Sequence, residues 1–377
     1  MNQHAKAKFL DFHRMLLADK VRTESYRRAI FKTVKRGDVV LDLGTGTGIL
    51  AHFACQAGAK RVYAIDTEKE AIEIAKHIAV QNGLQSRIVF INDHSYLVNL
   101  PERVDVIATE TTSNFGLEEG VLGFILDARK RFLKKGGLII PQSIKLWIVP
   151  VELPQVYRKV NFWSRDLFGI DFSRLDHLAM NRYYQTSLKV KSFISRPACL
   201  GEIKLSRVEA PLFSGNAFFV TKRPGTLHGV GGWFSSELSS GIFLSNQPPN
   251  QAEAWTNVFF PSIRPFRLEK GEHLKVKIIS YNGVSWNWRI KQNGATCEDS
   301  DFQGSPLSKE ELLKNSPRYM PRLSHKGRVE LFLMGMIRRR KTIQQMEKGI
   351  RSRYPNLFHD QRATSAFVQE VVSRCGQ

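Results

Sequence analysis

Between residues 39 and 141, short runs of consecutive apolar residues alternate with longer segments whose apolar positions recur every three or four residues. VVLDL (39–43), RVYAID (61–66), RIVFIN (87–92), VDVIATE (104–110) and GLIIP (137–141) read as buried strands. TGILAHFACQAGA, TEKEAIEIAKHIAVQNG (closed by Gly83) and the stretch at about 118–133 read as the helices between them. Strands alternating with helices of this length pair in parallel, which predicts an α/β doubly wound, Rossmann-like sheet. A charged amphipathic helix over about Leu16 to Val34 precedes it.

Near residue 145 the period changes. KLWIVPVE, HGVGGWF, GIFLS, WTNVFF and LKVKIIS are short alternating runs separated by turns, the pattern of an antiparallel β-barrel or sandwich. Residues 161–184 interrupt it with a helical or irregular pattern. The polar stretch 297–321 reads as a linker with one short helix, whose capping box is Ser308 and Glu311. Beyond it, Val329–Ile337, Thr342–Tyr354 and Thr364–Arg374 have helical periodicity. The expected organisation is a helical segment at 1–36, a Rossmann-like domain at 37–144 and a β-barrel domain at 145–295. A linker at 296–317 and a small, mostly helical module at 318–377 complete it.

Composition adds a partner. The 377 residues carry a formal charge of +21, which suggests an acidic peptide, nucleic acid or another anionic surface. From Lys314 to Arg374 there are 14 Lys/Arg against 4 Asp/Glu, a net of +10 and nearly half the total. No apolar run approaches the roughly 18 residues of a membrane span, and the first residues contain no apolar secretion core. Cys55, Cys199, Cys297 and Cys375 lie far apart with no metal-ligand spacing. Reduced thiols, a cytoplasmic protein and no metal are therefore expected.

The chemistry concentrates at strand ends. DLGTGTG (42–48) lies between a strand and a helix, where backbone N–H groups converge and glycine lets a ligand approach closely. Asp66 ends the next strand, 22 residues after Gly44, where a carboxylate can accept both ribose hydroxyls. The spacing is GxGxG, neither the GxGxxG of dinucleotide binders nor a triphosphate loop. With the acid at the second strand end, it resembles a class I methyltransferase site for S-adenosyl-L-methionine. Such enzymes often bind the adenine amino group just past the third strand, where this chain has Asp93. After the fourth strand comes ETTSNFGLEE, with Glu110, Glu118 and Glu119. On these letters alone, a solvated helix start is one reading, since acids favour a helix's first turn.

A wider resemblance narrows this. DKVRTESYRRAI (19–30), VVLDLGTGTGILAHFACQAGAKRVYAID (39–66), ETTSNFGLEEGVL (110–122) and ARKRFLKKGGLIIP (128–141) resemble the protein arginine methyltransferase family. So do FWSRDLFGIDFSRL (162–175), LHGVGGWF (227–234) and AWTNVFFPSIRPFRLEKGE (254–272). The likeness covers roughly residues 13–295 with the motifs in family order. It implies that Glu110 and Glu119, nine residues apart, are the paired glutamates that grip the substrate arginine. A guanidinium stays protonated in proteins, and two carboxylates can hold it bidentately, orient one nitrogen and draw charge from it. The resemblance further implies that Arg22 holds the cofactor carboxylate. It assigns Asp42, Gly44, Gly46 and Gly48 to the cofactor turn and Asp66 to the ribose, and makes residues 161–195 a homodimerisation arm.

There are departures. The bulky residues after the family's first glutamate are here Thr111, Thr112, Ser113 and Asn114. The Thr-His-Trp loop is Glu253, Ala254 and Trp255, without the histidine. The family's N-terminal tyrosine motif has no clear counterpart, Phe9 and Phe12 offering apolar cover in its place, and the family's adenine-binding glutamate falls near Ser95 and Tyr96. Residues 296–377 lie outside the resemblance and are faintly similar to a winged-helix peptide-binding module. The expected substrate is an arginine-bearing protein or peptide, with acidic segments or nucleic acid reachable by the basic tail. Two alternatives stand beside it: a nucleic-acid methyltransferase, and a catalytically weak cofactor-binding scaffold. Against the former, nucleic-acid amino-methylating enzymes place Asn/Asp-Pro-Pro-aromatic where this chain has TETT.

Overall fold

The computed structural model describes residues 3–249, 254–292, 295–306, 308–314 and 316–376. It forms two compact units, residues 1–306 and 307–377.

The first unit opens with α1 (Gln3–Ala18) and α2 (Lys20–Thr33). The sequence predicts one helix over much of this span, but it is broken at Asp19. That residue leaves helical geometry (φ −67°, ψ 91°) and its carboxylate accepts the N–H of Arg22, an N-cap that starts a new helix. Five strands follow with helices between them: β1 (Val39–Leu43), α3 (Ile49–Gln56), β2 (Arg61–Asp66), α4 (Lys69–Gln81), β3 (Ile88–Asn92), β4 (Val104–Thr109), α5 (Val121–Arg131) and β5 (Leu133–Ile140). They pair in parallel in the order β3-β2-β1-β4-β5. β1, covered on both faces, is buried throughout, as its apolar run, interrupted only by Asp42, requires. The strand order reverses between β1 and β4, so ligands belong at the carboxyl ends of those two strands. Helix α5 starts at Val121, later than expected, because residues 115–120 form turns ending at Gly120 in left-handed geometry (φ 77°).

The remainder of this unit is antiparallel. β6 (Ser143–Val151), α6 (Pro154–Val160), α7 (Arg174–Met180), β7 (Tyr184–Thr186), β8 (Ala198–Lys204), β9 (Leu212–Val220), β10 (Gly225–Ser239), β11 (Ile242–Ser245), β12 (Asn257–Leu268), β13 (His273–Tyr281), β14 (Ser285–Gln292) and β15 (Ala295–Ser300) succeed one another. One sheet runs β7-β12-β10-β6-β8 with β11 beside β10; the other runs β15-β14-β13-β9. Part of the expected linker is thus strand, since β15 pairs with β14 over residues 295–300. The two sheets meet at Phe260 of β12, whose ring packs against Trp286 and Trp288 of β14. The glycines of LHGVGGWF permit close approach: a Cβ on Gly232 would lie 2.7 Å from the ring of Phe115, in the loop that follows β4. That loop is therefore packed into the antiparallel half. Between α6 and α7 the chain projects an apolar tip, with Phe168 fully exposed at φ 60°.

In the second unit, α8 (Lys309–Lys314) carries the expected capping box. The Ser308 N–H donates to Glu311, and the Glu311 N–H donates to the Ser308 hydroxyl. α9 (His325–Arg338), α10 (Ile343–Arg353) and α11 (Gln361–Cys375) enclose their own core of Val329, Leu333, Met346, Ile350, Val368 and Val371. The described residues of this unit contain no strand, so the wing of a winged helix has no counterpart among them.

Candidate functional site: a cavity at the β1 and β4 strand ends

The geometry after β1 follows from its glycines. Gly44 (φ 72°) and Gly46 (φ 53°) turn the chain in left-handed conformations, and the N–H groups of Gly44 and Thr45 both donate to the Ile65 carbonyl. A Cβ on Gly44 would lie 2.7 Å from Thr111 Cγ2, and one on Gly46 would lie 3.0 Å from His13 Cε1. Backbone is thereby laid bare along one wall of a cavity of about 670 Å³. Asp66 stands across the turn. Its two carboxylate oxygens accept the N–H groups of Gly46 (2.8 Å) and Glu68 (2.9 Å), and each keeps a lone pair for a hydroxyl.

Asp42 does not reach the cavity. It is fully buried beneath the turn, where one oxygen accepts the Thr45 hydroxyl (2.6 Å) and the Ala51 N–H (3.0 Å), pinning the turn to α3. Burial pushes its carboxyl up to about 7. Gly48, the N-cap of α3 at φ 86°, likewise shapes the turn without lining the cavity. Asp93 is also elsewhere: it is exposed and accepts the N–H of the adjacent His94, a loop-capping role. These three expected cofactor residues are thus placed outside the cavity wall, two of them supporting it from behind.

The opposite wall is the loop after β4. Glu110 enters the cavity with one oxygen accepting the Thr112 hydroxyl (3.0 Å) and the other ion-paired to the Arg22 guanidinium. Both members of this pair are nearly buried, with side-chain exposures of 7% for Arg22 and 8% for Glu110. Arg22 also donates to the Leu16 carbonyl (3.1 Å), and its Nε–H is buried with no partner among the described residues. Glu119 faces the same cavity, open to its solvent but walled by protein. Burial raises its carboxyl, and Arg22 partly offsets the shift. Glu118, adjacent in sequence, turns the other way: its carboxylate accepts the N–H groups of Phe115 (2.6 Å) and Leu117 (3.0 Å) and holds the loop's shape. So Glu110 and Glu119 converge, and Glu118 is the brace between them.

Trp255 supports this wall, donating its indole N–H to the Thr112 carbonyl (2.9 Å), with the Arg22 guanidinium 5.7 Å from its ring centre. Thr111, Thr112, Ser113 and Asn114, small and polar, line the space that bulky residues fill elsewhere in the resembled pattern. Glu253, in place of that pattern's histidine-bearing loop, lies outside the described residues. Phe12 of α1, singled out by the sequence, lines the cavity, and so do residues that sequence reasoning missed: His13 of α1, Gln185 of β7 and Thr256. His13 is half-buried over Gly46, and burial lowers its pKa against the pull of Asp66. Gln185 carries no sequence signal, being joined to the site only by strand pairing of β7 with β12.

The cavity suits S-adenosyl-L-methionine. A glycine wall that any Cβ would obstruct, an Asp66 carboxylate with spare acceptor capacity, and an unpartnered Arg22 N–H for a carboxylate match the ends of that molecule.

Comparisons with known proteins agree with this geometry. Residues 23–142 match the family described as ribosomal protein L11 methyltransferase (PrmA), and residues 142–289 match the arginine methyltransferase oligomerization subdomain. A probable protein arginine N-methyltransferase 6 of Arabidopsis thaliana is 34% identical over 60% of this chain and 54% of its own length. Protein arginine N-methyltransferase 6 of Danio rerio is 32% identical over 64% of this chain and 74% of its own. Among solved structures, the Trypanosoma brucei PRMT1 enzyme–prozyme heterotetrameric complex with AdoHcy has a TM-score of 0.69 at 23% identity, covering 76% of this chain and 97% of that one. Arabidopsis thaliana protein arginine methyltransferase 10, in an open conformation, has a TM-score of 0.65 at 23% identity, covering 78% and 99%. With paired glutamates at the β4 strand end and a relative matched over three quarters of its length, the chain belongs to the protein arginine N-methyltransferase family.

Proposed function

We infer that this protein methylates an arginine guanidinium nitrogen of a protein or peptide, using S-adenosyl-L-methionine. The observation that carries the reading is the Arg22–Glu110 pair: the cavity already holds an arginine guanidinium on one of the two carboxylates assigned to the substrate, with the other facing it. When bound, the cofactor supplies an electrophilic methyl on a sulfonium and leaves as S-adenosylhomocysteine. Gly44, Gly46 and Asp66 would hold it against β1, and Arg22 would pair with its carboxylate, which would free Glu110 for the substrate. Glu110 and Glu119 then grip the guanidinium and turn one nitrogen toward the cofactor; held at about 3–3.5 Å, that nitrogen is in attack geometry. The nitrogen sheds one proton as its new bond to carbon forms. In this reading a carboxylate oxygen of Glu119, made more basic by burial, receives it.

The deciding measurement compares Glu119→Gln with the parent on an arginine peptide. Turnover should fall at least about 100-fold, as for loss of other electrostatic contacts in a transition state, while calorimetry shows unchanged binding of S-adenosylhomocysteine. Full activity in the variant would remove Glu119 from the substrate site.

Two further assignments belong to the same reading. The antiparallel half matches an oligomerization subdomain and projects the exposed Phe168, which supports a homodimer. The net +10 of residues 314–374 supports electrostatic capture of acidic substrate segments by the second unit.

A further inference from the structure

The outer face of the β15-β14-β13-β9 sheet plays no part in the cavity, yet it is neither apolar nor evenly polar. Along β9 burial alternates strictly, and the residues turned outward include Phe218, 71% exposed. Strand pairing sets Phe218 directly beside Lys275 of β13, and Lys275 beside Lys291 of β14. Two residues along β13, Lys277 sits beside Arg289, whose charge is taken by Glu298. At the far end of β13, Tyr281 is 63% exposed. The three lysines make no ion pair among the described residues, and Glu298 is the sole acid that the four strands turn outward on this face. The Lys275 ammonium lies 5.1 Å from the centre of the Phe218 ring, so that ring presents its face toward the cations.

We propose that this sheet face binds single-stranded nucleic acid, with bases stacked on Phe218 and Tyr281 and phosphates on Lys275, Lys277 and Lys291. Exposed rings interleaved with unpaired lysines are what a single strand needs, since every base has a π-face and every linkage a negative charge. Lys275 and Lys277, two residues apart, stand about 7 Å from one another along β13, and Lys291 about 5 Å to the side. Tyr281 lies beside Leu212, six residues along β9 from Phe218, or about 20 Å away, which leaves room for several nucleotides between the two rings. An acidic peptide fits less well. Its carboxylates have no use for the ring faces, and the backbone groups of β13 and β14 beneath the lysines are already spent on strand pairing. When a base stacks on Phe218, the Lys275 ammonium is released to the adjoining phosphate.

The test is fluorescence anisotropy of the full chain with labelled single-stranded RNA and DNA of about twelve nucleotides. Binding should weaken with salt. The triple variant Lys275→Ala/Lys277→Ala/Lys291→Ala should lose at least about tenfold in affinity and flatten the log–log salt slope by about 2, close to 0.7 for each lost contact. Phe218→Ala should lose at least about fivefold and Phe218→Trp should restore binding. Exchange of Arg338, Arg339, Arg340 and Lys341 for alanine should change it less than about twofold. Because all substituted positions are surface-facing, S-adenosylhomocysteine binding measured alongside should be unchanged and certifies the fold. The proposal is overturned by no binding at low salt, by sheet variants that bind like the parent, or by loss confined to the Arg338–Lys341 variant. It is equally overturned if a polyglutamate peptide of similar length displaces the oligonucleotide at equal concentration, which would make the face an acidic-peptide surface.

Discussion

Replacing Arg22 by methionine isolates the energetics of the ion pair in the cavity. Both partners are more than nine-tenths buried, so the change strands the Glu110 carboxylate in a low-dielectric site with the Thr112 hydroxyl as its remaining donor among the described residues. Removing one partner of a buried pair costs about 3–5 kcal/mol, because the charge left behind keeps its desolvation penalty and loses its compensation. For a unit of this size each kcal/mol moves the melting temperature by about 2 °C, giving a fall of about 6–10 °C. The comparison is internal. Arg267 pairs with Glu269 where the side chains are 72% and 68% exposed, and Arg267→Met should cost under about 1 kcal/mol. Adding Glu110→Gln to Arg22→Met removes the stranded charge but keeps an acceptor for Thr112, and should recover most of the loss. Calorimetry of the cofactor-free parent, of these three variants and of Glu110→Gln alone reads the comparison. If the double variant were as unstable as the sum of its single changes, the two side chains would be energetically independent and the pair no surrogate for a substrate arginine.

Four other outcomes are expected. Gly46→Val must place a side chain against His13 at φ 53°, and Asp66→Ala removes the acceptor across the turn; titration calorimetry should show S-adenosylhomocysteine binding lost or much weakened in both. Asp42→Asn keeps both hydrogen bonds but cannot ionise. Because the folded pKa of Asp42, about 7, is above the usual carboxylate value, its favourable contribution is full at acid pH and is lost as pH rises from about 4 to about 7. The gap in urea midpoint between variant and parent should therefore shift in the variant's favour across that window, and a gap independent of pH would refute the assignment. Phe168→Glu should convert a dimer to a monomer in light scattering at micromolar concentration, whereas a parent that is itself monomeric would dispose of the arm. A chain ending at residue 306 should bind cofactor normally yet lose affinity, and its salt dependence, for substrates with acidic segments; equal behaviour of the two chains would free the second unit of that role.

The parallel half of the fold was legible because its signal is local. A buried strand such as VVLDL is apolar at four of its five positions, and the DLGTGTG turn announces itself by glycines, the residue that left-handed geometry at φ 53–86° favours. Glu110 and Glu119 were singled out by the family resemblance, and both line the cavity, but the fate of Glu118 was not legible. Which of two adjacent acids faces the cavity depends on how the Phe115 and Leu117 N–H groups turn, and Phe115 itself packs on Gly232 of β10, far along the chain. Asp93 was singled out by its position after a strand; in the fold it is exposed and accepts the N–H of His94, a contact that sequence position does not foretell. The break at Asp19 was hidden because apolar periodicity persists across it, and the capping geometry is a matter of one residue. β15 was misread as linker because CEDS lacks alternating apolar residues; its place beside β14 comes from pairing alone.

The contact between the Phe115 loop and the glycines of β10 carries a consequence for how this molecule comes apart. Side chains of the parallel sheet, of α2 and of both antiparallel sheets belong to one continuous buried cluster, from Tyr26 through Phe115 to Trp288. The change in strand pattern near residue 145 is thus a boundary of topology and not of cooperativity. Neither half can be melted, excised or exchanged with that of a relative without stripping cover from the loop that carries Glu110 and Glu119. In such a molecule a methyl lost from the core beneath β10 registers as a misplaced carboxylate, so catalytic competence and global stability decline together under mutation.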